Sequence, residues 1–243
     1  MSAAHACVCG DSTTAQAFDD ALGGRLANAL ITDPPYCLLT RRRKNGTARD
    51  PKDRKIERGP LQRFDDVRAY RTFTEAWFSH AVKRLAPDAP VVIWTNLLGK
   101  APIVATVAAH GYPYLRGEFV WAKRTREGNS GEELLRLYEV ALVFSTKAPA
   151  PARDDEPAIP WAAVGGYDDD GEAVRWGSHP NHKPFSVIEP LVRTWSRPGE
   201  VVLDCFAGSG SIPHAAARLG RVAVGIEREP EWAQRVSKRL ATR

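Results

Sequence analysis

The sequence predicts an α/β fold built on an open, mostly parallel sheet, and three observations favour it. Two short apolar runs, 29–32 and 91–94, have the composition of strands that are buried on both faces. A third run, 201–205, leads into a glycine-containing turn, a helix, a strand and another helix, a βαβα unit typical of nucleotide-binding sheets. The chain has 243 residues, 43% of them hydrophobic, which suffices for one large domain with a sizeable core.

The first half of the chain alternates predicted strands and helices. Helix ends are expected at Gly23-Gly24, near Pro87 and at Gly111, because glycine and proline terminate helices. In chain order the pattern predicts strand 6–9, a helix from about Ser12 or Thr13 to Leu22, strand 29–32, an amphipathic helix within 66–86, strand 91–94, a helix over 99–110, and strands 118–122 and 139–145, paired as a β-hairpin.

The second half begins with a change of composition. Residues 147–177 contain repeated prolines and glycines, and seven acids against two arginines, which indicates an insert or linker outside the core. After this segment the pattern predicts a helix over 185–195, strand 201–205, helix 212–219, strand 222–226 and an amphipathic helix over 230–241.

The composition argues against a secreted or membrane protein. No apolar run approaches the roughly 18 residues of a membrane span, and the N-terminus has no charged region followed by an apolar segment. The four cysteines form no C-x-x-C pair, and no histidine near them completes a zinc-ligand spacing. We therefore expect a cytoplasmic protein with reduced thiols, no membrane partner and no metal.

Basic residues are concentrated in one segment. The net charge is +5, yet residues 38–60 alone carry nine Lys or Arg against three acids, so that the rest of the chain has a net charge of −1. Glycines, prolines and little apolar periodicity predict that 38–63 is a loop. A solvated loop is the plain interpretation. Phosphate binding is favoured for its basic side chains, Arg41, Arg42, Arg43, Lys44, Arg54 and Lys55.

The tetrapeptide Asp33-Pro34-Pro35-Tyr36 directly follows strand 29–32. Its prolines end the strand and make the turn rigid, at the strand end where open α/β sheets usually bind ligands. The Asp33 carboxylate and the Pro34 carbonyl can accept both hydrogens of an exocyclic NH2 group, while the Tyr36 ring stacks on the base that carries it. A plain proline-rich turn is the alternative, so the interpretation depends on a methyl-donor site elsewhere.

A donor site is predicted where strand 201–205 meets the next helix. Gly208 and Gly210 let a ligand approach the backbone and the amide groups at the helix N-terminus, although tight strand–helix packing would also explain them. Glu227 follows Asp204 by 23 residues, close to the spacing at which an acid binds ribose hydroxyls. The turn is not G-x-G-x-x-G, so these acids favour an adenosine with an amino-acid tail over a dinucleotide.

These motifs together resemble those of the beta group of amino DNA methyltransferases. The motifs are, in order, Asp-Pro-Pro-Tyr, His179-Pro180-Asn181-His182-Lys183-Pro184, Asp-x-Phe-x-Gly-Ser-Gly from Asp204, and Gly225-Ile226-Glu227. The resemblance implies a circularly permuted, Rossmann-like methyltransferase fold that depends on S-adenosylmethionine, with a mostly parallel seven-stranded sheet and a terminal β-hairpin. It implies a catalytic half over 1–146, a small insert or target-recognition segment over 147–178, and a donor-binding half over 179–243.

The resemblance also implies roles for individual residues. Asp33, Pro34, Pro35 and Tyr36 would form the catalytic turn. Lys183 would lie near the methionine end of the donor and could pair with its carboxylate, and Asp11 would contact the adenine; a solvated lysine and an ordinary helix N-cap are the alternatives. The cofactor would be S-adenosyl-L-methionine, bound by Asp11, His179, Lys183, Asp204, Phe206, Gly208, Ser209, Gly210 and Glu227, with Glu227 on the ribose.

The implied reaction is methyl transfer to an exocyclic amino nitrogen of DNA, with the target base flipped out of the duplex. Adenine N6 is expected because the turn begins with Asp, whereas cytosine-N4 members more often begin with Ser. Cytosine N4 is the alternative, and an RNA methyltransferase or a non-catalytic DNA-binding subunit are further ones. The short acidic insert suggests brief target specificity or help from a second subunit, and a homodimer is a hypothesis.

Overall fold

The structure is a computed structural model that describes residues 5–40, 62–122, 138–148, 162–163 and 182–242. Its strands are β1 (Ala6–Cys9), β2 (Ala29–Thr32), β3 (Val91–Thr95), β4 (Tyr114–Ala122), β5 (Tyr138–Ser145), β6 (Ala162–Ala163), β7 (Val201–Asp204) and β8 (Val222–Glu227). Its helices are α1 (Ala15–Leu22), α2 (Val67–Ala81), α3 (Lys100–Ala109), α4 (Phe185–Trp195), α5 (Ser211–Arg218) and α6 (Pro230–Ala241), with 3₁₀ turns at Val82–Arg84 and Leu97–Gly99.

All the described strands form one sheet in the order β1-β8-β7-β2-β3-β5-β4-β6. Every neighbouring pair is parallel except the two that involve β5, which runs antiparallel to β3 and to β4. The predicted α/β fold with seven strands and a β4–β5 hairpin is confirmed. The sheet also gains β6, two residues paired with β4.

The order of the strands shows the permutation. β7 and β8 come from the C-terminal end of the chain, yet β7 pairs with β2, the strand before the Asp-Pro-Pro-Tyr turn. β1 pairs with the far side of β8, with Cys7 opposite Gly225. Counted outwards from β7, the first strand of the chain is therefore the third strand of this half of the sheet.

Strand β4 is longer than predicted, since it begins at Tyr114 rather than at residue 118. Its register with β5 shifts between Leu115 and Gly117, and the side chains of Tyr114 and Leu115 are exposed. A bulge with exposed apolar side chains breaks the alternation by which strands are identified in a sequence.

Helices cover both faces of the sheet because neighbouring residues of a strand point to opposite faces. Leu30 of β2 packs in a cluster with side chains of α1, α2 and α3, whereas Ile31 packs in a second cluster with side chains of α4 and α5. Trp77 of α2 and Trp94 of β3 are each fully buried, one in each cluster. With both faces covered, the carboxyl edge of the parallel strands is the place for a ligand.

The chain leaves and re-enters the predicted basic loop at neighbouring points. Leu39 bridges Phe64, the Thr40 amide donates to the Phe64 carbonyl at 2.8 Å, and the Phe64 amide donates to the Leu38 carbonyl at 2.9 Å. Residues 41–61 themselves, and nearly all of the predicted insert 147–178, lie outside the described residues. Within the described ranges, no helix could cross a membrane and no group of three or more His, Cys, Asp or Glu could hold a metal ion.

Candidate active site

The Asp-Pro-Pro-Tyr turn lies at the carboxyl end of β2, between the ends of β7 and β3. Asn96, directly after β3, donates from Nδ2 to the Cys37 carbonyl at 3.1 Å and accepts from the Gly99 amide at 3.0 Å. Cys37 is fully buried. The turn is therefore fastened at its far end to the neighbouring strand, which keeps Asp33 and Tyr36 at the edge of the sheet.

A buried lysine joins the turn to the antiparallel strand. Lys183, just before α4, forms ion pairs with Oδ2 of Asp33 and, at 3.1 Å, with Oε2 of Glu139 in β5. Its Nζ atom also donates to the Tyr36 hydroxyl at 3.3 Å, and that hydroxyl donates to Glu139 Oε2 at 2.8 Å. The side chains of Lys183, Asp33 and Glu139 are 3%, 11% and 17% exposed, so these contacts are shielded from water.

Two aromatic rings flank the same ammonium group. Lys183 Nζ lies 4.8 Å from the centre of the Trp94 ring and 5.6 Å from the centre of the Tyr36 ring. A cation at these distances over ring faces is stabilised by cation–π interaction, most strongly with Trp. The rings and the two carboxylates together fix the position of the lysine head group.

The buried environment shifts the pKa values of Asp33, Lys183 and Tyr36. Burial raises the pKa of Asp33, with a smaller contribution from the Glu139 carboxylate, while Lys183 lowers it. Burial alone would lower the pKa of Lys183, but the two carboxylates outweigh burial and raise it. Burial and the same carboxylates raise the pKa of Tyr36. At neutral pH Lys183 is therefore an ammonium and Tyr36 a neutral phenol.

The two oxygens of the Asp33 carboxylate differ in their contacts. Its Oδ2 atom contacts Lys183, whereas Oδ1 is buried and has no hydrogen-bond partner among the described residues. A buried acceptor without a donor is energetically unfavourable, by about 1–3 kcal/mol or more for a charged group. Oδ1 is therefore suited to receive a hydrogen bond from a ligand.

A cleft runs from Asp33 to the glycine turn after β7. The turn adopts a conformation that favours glycine, with φ of 51° at Gly208 and 80° at Gly210. A Cβ atom on Gly210 would also lie 3.0 Å from Val236 of α6, so both backbone and packing require glycine there. The residues lining the cleft are Asp33, Lys183, Asp204, Phe206, Ala207, Gly208, Ser209, Ser211 and Ile212.

Glu227, at the end of β8, holds this turn from the neighbouring strand. Its Oε2 atom accepts from the Gly208 amide at 2.7 Å and its Oε1 atom accepts from the Glu229 amide at 2.9 Å. Each carboxylate oxygen keeps a further lone pair for a ligand hydroxyl. The residues present therefore fit the predicted role of Glu227, which would accept from the ribose hydroxyls of a donor.

Two serine hydroxyl groups lie close together at the N-terminus of α5. Ser209 Oγ and Ser211 Oγ lie 2.9 Å apart, each is 3.1 Å from Nδ1 of His182, and Ser211 Oγ accepts from the Lys183 amide at 3.3 Å. Together with the helix N-terminus, these groups suit the carboxylate of a bound amino acid. The predicted pairing of Lys183 itself with the donor carboxylate stays a prediction, since its ammonium contacts Asp33 and Glu139 here.

The remaining predicted site residues differ in how they are placed. Phe206 lies in the cleft wall, edge-on to Trp77 at 5.4 Å between ring centres. Asp11 is exposed and accepts from the Thr13 amide and hydroxyl at 2.9 and 2.8 Å, which organises the turn before α1 rather than capping the helix. His179 and the predicted phosphate-binding residues Arg41, Arg42, Arg43, Lys44, Arg54 and Lys55 lie outside the described residues.

Sequence reasoning missed Glu139, Trp94 and Thr32. Glu139 was assigned only to the start of a strand, and its one distinguishing signal is an acid directly before five buried residues of β5. Thr32 donates to Asp204 Oδ1 at 2.8 Å and accepts from the Cys205 amide at 3.1 Å, which ties the ends of β2 and β7 together. Only the pairing of those strands could have indicated this contact.

Burial changes the pKa of Asp204 strongly. It raises the pKa from the ordinary value of 3.8 to about 7, even though hydrogen bonds from the Phe206 amide and the Thr32 hydroxyl favour the carboxylate. In the unfolded chain the group ionises near its ordinary value. Its contribution to stability is therefore fully present below pH 3.8 and is lost as the pH rises through about 7.

The Asp204→Asn variant should remove this pH dependence. Its free energy of unfolding relative to the wild type is expected to increase between about pH 4 and pH 8, by an upper limit of roughly 4 kcal/mol. Asn can still accept the bonds from Thr32 and Phe206, so the fold is retained. Urea unfolding of both proteins at the two pH values measures the change.

The matched control is Asp88→Asn, at an exposed acid whose pKa is lowered by hydrogen bonds from Lys147 and Thr146. This variant should be less stable than the wild type above the ordinary carboxyl pKa, and its stability should approach that of the wild type as the pH falls. If the difference between Asp204→Asn and the wild type stays constant over the pH range, the pKa of Asp204 is not raised.

Comparison with known proteins identifies the family. A family model described as DNA methylase matches residues 27–238. The type II methyltransferase M1.MboII of Moraxella bovis is 22% identical over 251 aligned residues, covering 88% of this chain and 89% of that protein. The crystal structure of the M1.HpyAVI–SAM complex superposes with a TM-score of 0.67 at 19% identity, covering 97% of this chain and 98% of that one.

A second solved structure has the same overall similarity. The PvuII DNA methyltransferase, described as cytosine-N4-specific, also gives a TM-score of 0.67, at 16% identity, covering 98% of this chain and 87% of that one. These likenesses confirm the fold, and the family model, which spans most of the chain, confirms the family and the predicted cofactor, S-adenosyl-L-methionine. The chain belongs to the DNA methylase family, the amino-group methyltransferases of the N6-adenine and N4-cytosine type.

Proposed function

We propose that this protein transfers a methyl group from S-adenosylmethionine to the N6 amino nitrogen of adenine in DNA. One observation carries the proposal: Asp33 Oδ1 is a buried acceptor with no partner among the described residues, and Asp33 lies in the wall of the donor cleft. Such an acceptor requires a hydrogen-bond donor. The exocyclic amino group of a base that enters beside the methyl donor supplies one.

The turn offers two acceptors for the two amino hydrogens. Asp33 Oδ1 takes one, and the Pro34 carbonyl, next in the chain, takes the other. Bonds to both hydrogens draw the nitrogen lone pair out of conjugation with the ring, so that it can attack. The Tyr36 ring packs on the face of the base. The site thus contributes alignment and hydrogen bonding, which is what a weakly nucleophilic aromatic amine needs.

When bound, S-adenosylmethionine supplies an electrophilic methyl group on a sulfonium centre. The residues of the chain prepare its surroundings. Glu227 accepts from ribose hydroxyls, and the hydroxyls of Ser209 and Ser211 hold the amino-acid end. Asp33 acts as a hydrogen-bond acceptor that polarises the amine rather than as a strong base, and the methylated nitrogen then releases its proton to water.

The amino nitrogen of a paired base lies inside the duplex, so the target base has to be flipped into the site. The basic segment 41–61 begins five residues after Tyr36 in the sequence, and Thr40 before it is hydrogen-bonded to Phe64 after it. Its six predicted phosphate-binding residues thus follow the turn closely in the sequence. Binding through them would weaken as salt concentration rises.

Adenine is proposed over cytosine because the turn begins with Asp. Cytosine N4 is the second candidate, since it presents the same NH2 geometry to Asp33 and Pro34. The equal TM-scores for M1.HpyAVI and for the cytosine-N4-specific PvuII enzyme support a shared fold but do not favour either base.

The test is to identify the product. The protein is incubated with methyl-labelled S-adenosylmethionine and unmethylated double-stranded DNA, the DNA is digested, and the labelled nucleoside is determined by mass spectrometry. N6-methyladenine is the expected product. DNA that has first been treated to completion with unlabelled donor is the matched control and should take up no label.

The other outcomes are distinct. N4-methylcytosine would overturn the choice of base and leave the roles of the turn intact. Label on RNA but not on DNA would overturn the substrate. No label at all, with donor binding measurable by calorimetry, would overturn catalysis and favour a non-catalytic DNA-binding subunit.

A further inference from the structure

Glu139 takes no part in the proposed reaction, but it contacts Tyr36 and Lys183, which support that reaction. It is the second residue of β5 and lies opposite Trp121 of β4, within the hydrogen-bonded sheet. Its Oε2 atom accepts from the Tyr36 hydroxyl at 2.8 Å and lies 3.1 Å from Lys183 Nζ. One carboxylate thus contacts both the residue that stacks on the base and the residue that holds Asp33.

We infer that Glu139 is a positioning residue, which fixes the Tyr36 ring through its hydroxyl and the Asp33 carboxylate through Lys183. The inference rests on the proposed function, because it assigns a task to Glu139 in the methylation of a base. Neither contact requires Glu139 to touch the base or the donor.

The contact with Glu139 restrains where the Tyr36 ring lies. Tyr36 follows two prolines, which fix the backbone up to that residue but leave its side-chain torsions free. Anchoring the hydroxyl on a sheet residue restricts the position of the ring before a base arrives. A stacking surface that is already oriented loses less entropy on binding.

The contact with Lys183 determines which oxygen of Asp33 is available. The ammonium is held by Glu139, by Asp33 Oδ2 and over the Trp94 ring at 4.8 Å. With Oδ2 engaged, Oδ1 is the oxygen left for the amino group. The Glu139 carboxylate also helps to raise the pKa of Lys183, which keeps the ammonium charged beside Asp33.

Two variants separate geometry from charge. Glu139→Ala removes both contacts and should lower kcat for methyl transfer by about 100-fold, because the reacting groups lose their alignment. Glu139→Gln keeps an acceptor for the Tyr36 hydroxyl and nearly the same shape but loses the charge, so kcat should fall by about 10-fold. Single-turnover methylation with saturating donor and DNA measures both.

A positioning role and a purely structural role of Glu139 differ in whether kcat or donor affinity changes. Donor affinity, measured by calorimetry, should change by less than about 2-fold in Glu139→Gln, because the glycine turn and Glu227 are untouched. In the Tyr36→Phe background, Glu139→Ala should lower kcat much less than it does in the wild type, because the hydrogen bond between Glu139 and residue 36 is already absent. Glu118→Gln, which breaks the Lys100–Glu118 pair of 2.7 Å outside the cleft, is the matched control and should keep full kcat.

The failures can be told apart. A wild-type protein that transfers no methyl group to DNA removes the proposed function, and this inference with it. An active wild type whose kcat is unchanged by Glu139→Gln and Glu139→Ala overturns the inference alone. So do losses that appear in donor affinity or thermal stability instead of kcat, or effects of the Glu139 and Tyr36 variants that multiply independently.

Discussion

The Asp33→Asn variant is expected to lower kcat for methyl transfer by about 10³-fold. Asn has nearly the shape of Asp, but its terminal amide offers one acceptor oxygen and one NH2 group in place of two acceptors. Lys183 Nζ contacts Oδ2 and the amine is assigned to Oδ1, so a single oxygen cannot serve both. Whichever way the amide turns, either the ammonium or the target amine faces an N–H donor.

Single-turnover rates with saturating DNA and donor give the measurement. Donor affinity should stay within about 3-fold of the wild type, because Glu227 and the glycine turn do not depend on Asp33. The control is Asp88→Asn, at another acid that pairs with a lysine, Lys147, but lies on the surface away from the cleft. Its positive φ of 59° is one that Asn tolerates. Retention of more than a tenth of the wild-type kcat in Asp33→Asn would rule out the proposed role of its carboxylate.

The parts of the site that could be predicted are those encoded by neighbouring residues. Pro34 and Pro35 end β2 whatever surrounds them, and the glycines at 208 and 210 adopt positive φ angles that other residues rarely take. Each motif therefore carried its own local geometry. Their order along the chain then indicated the permuted sheet, which brings the ends of β2 and β7 side by side.

The network around Lys183 could not be predicted in the same way. Tyr36 is 103 residues from Glu139 and 147 residues from Lys183, and they meet because β5 runs antiparallel beside β3. An antiparallel strand brings its first residues, not its last, to the carboxyl edge of the parallel strands. A single acid before an apolar run does not reveal that direction.

The Lys183 ammonium was expected to act on the donor, and its observed contacts give it a second task. It forms ion pairs with both Asp33 and Glu139. From the sequence motifs, Lys183 and Asp204 are each expected beside a ligand. In the folded chain both residues are bonded to other groups of the protein. Burial raises the pKa of Asp204, whereas the Asp33 and Glu139 carboxylates raise the pKa of Lys183.

The Lys183→Met variant is expected to lower kcat by about 10²-fold and to destabilise the protein by about 3 kcal/mol near pH 8, because removal of one partner leaves buried charges uncompensated. Methionine fills similar space but leaves Asp33 and Glu139 facing each other. Since Lys183 lowers the pKa of Asp33 and Glu139 raises it, the pKa of Asp33 should rise further in the variant. One of the two acids would then bind a proton near neutral pH.

The stability lost in Lys183→Met should increase with pH. A carboxyl with a raised pKa in the folded state contributes stability at low pH and loses it as the pH rises through that pKa. The free energy of unfolding of Lys183→Met should therefore approach that of the wild type near about pH 5 and fall below it towards about pH 8, as measured by urea unfolding. Lys183→Arg, which keeps the cation, should retain most of the stability.

Lys100→Met is the matched control for charge removal. Lys100 pairs with Glu118 at 2.7 Å, but these side chains are 27% and 33% exposed, so its loss should change stability by no more than about 1 kcal/mol at any pH. Equal losses in Lys183→Met and Lys100→Met would mean that water already screens the Asp33–Lys183–Glu139 contacts. In that case the lysine would not be what holds Asp33 ready for the target amine.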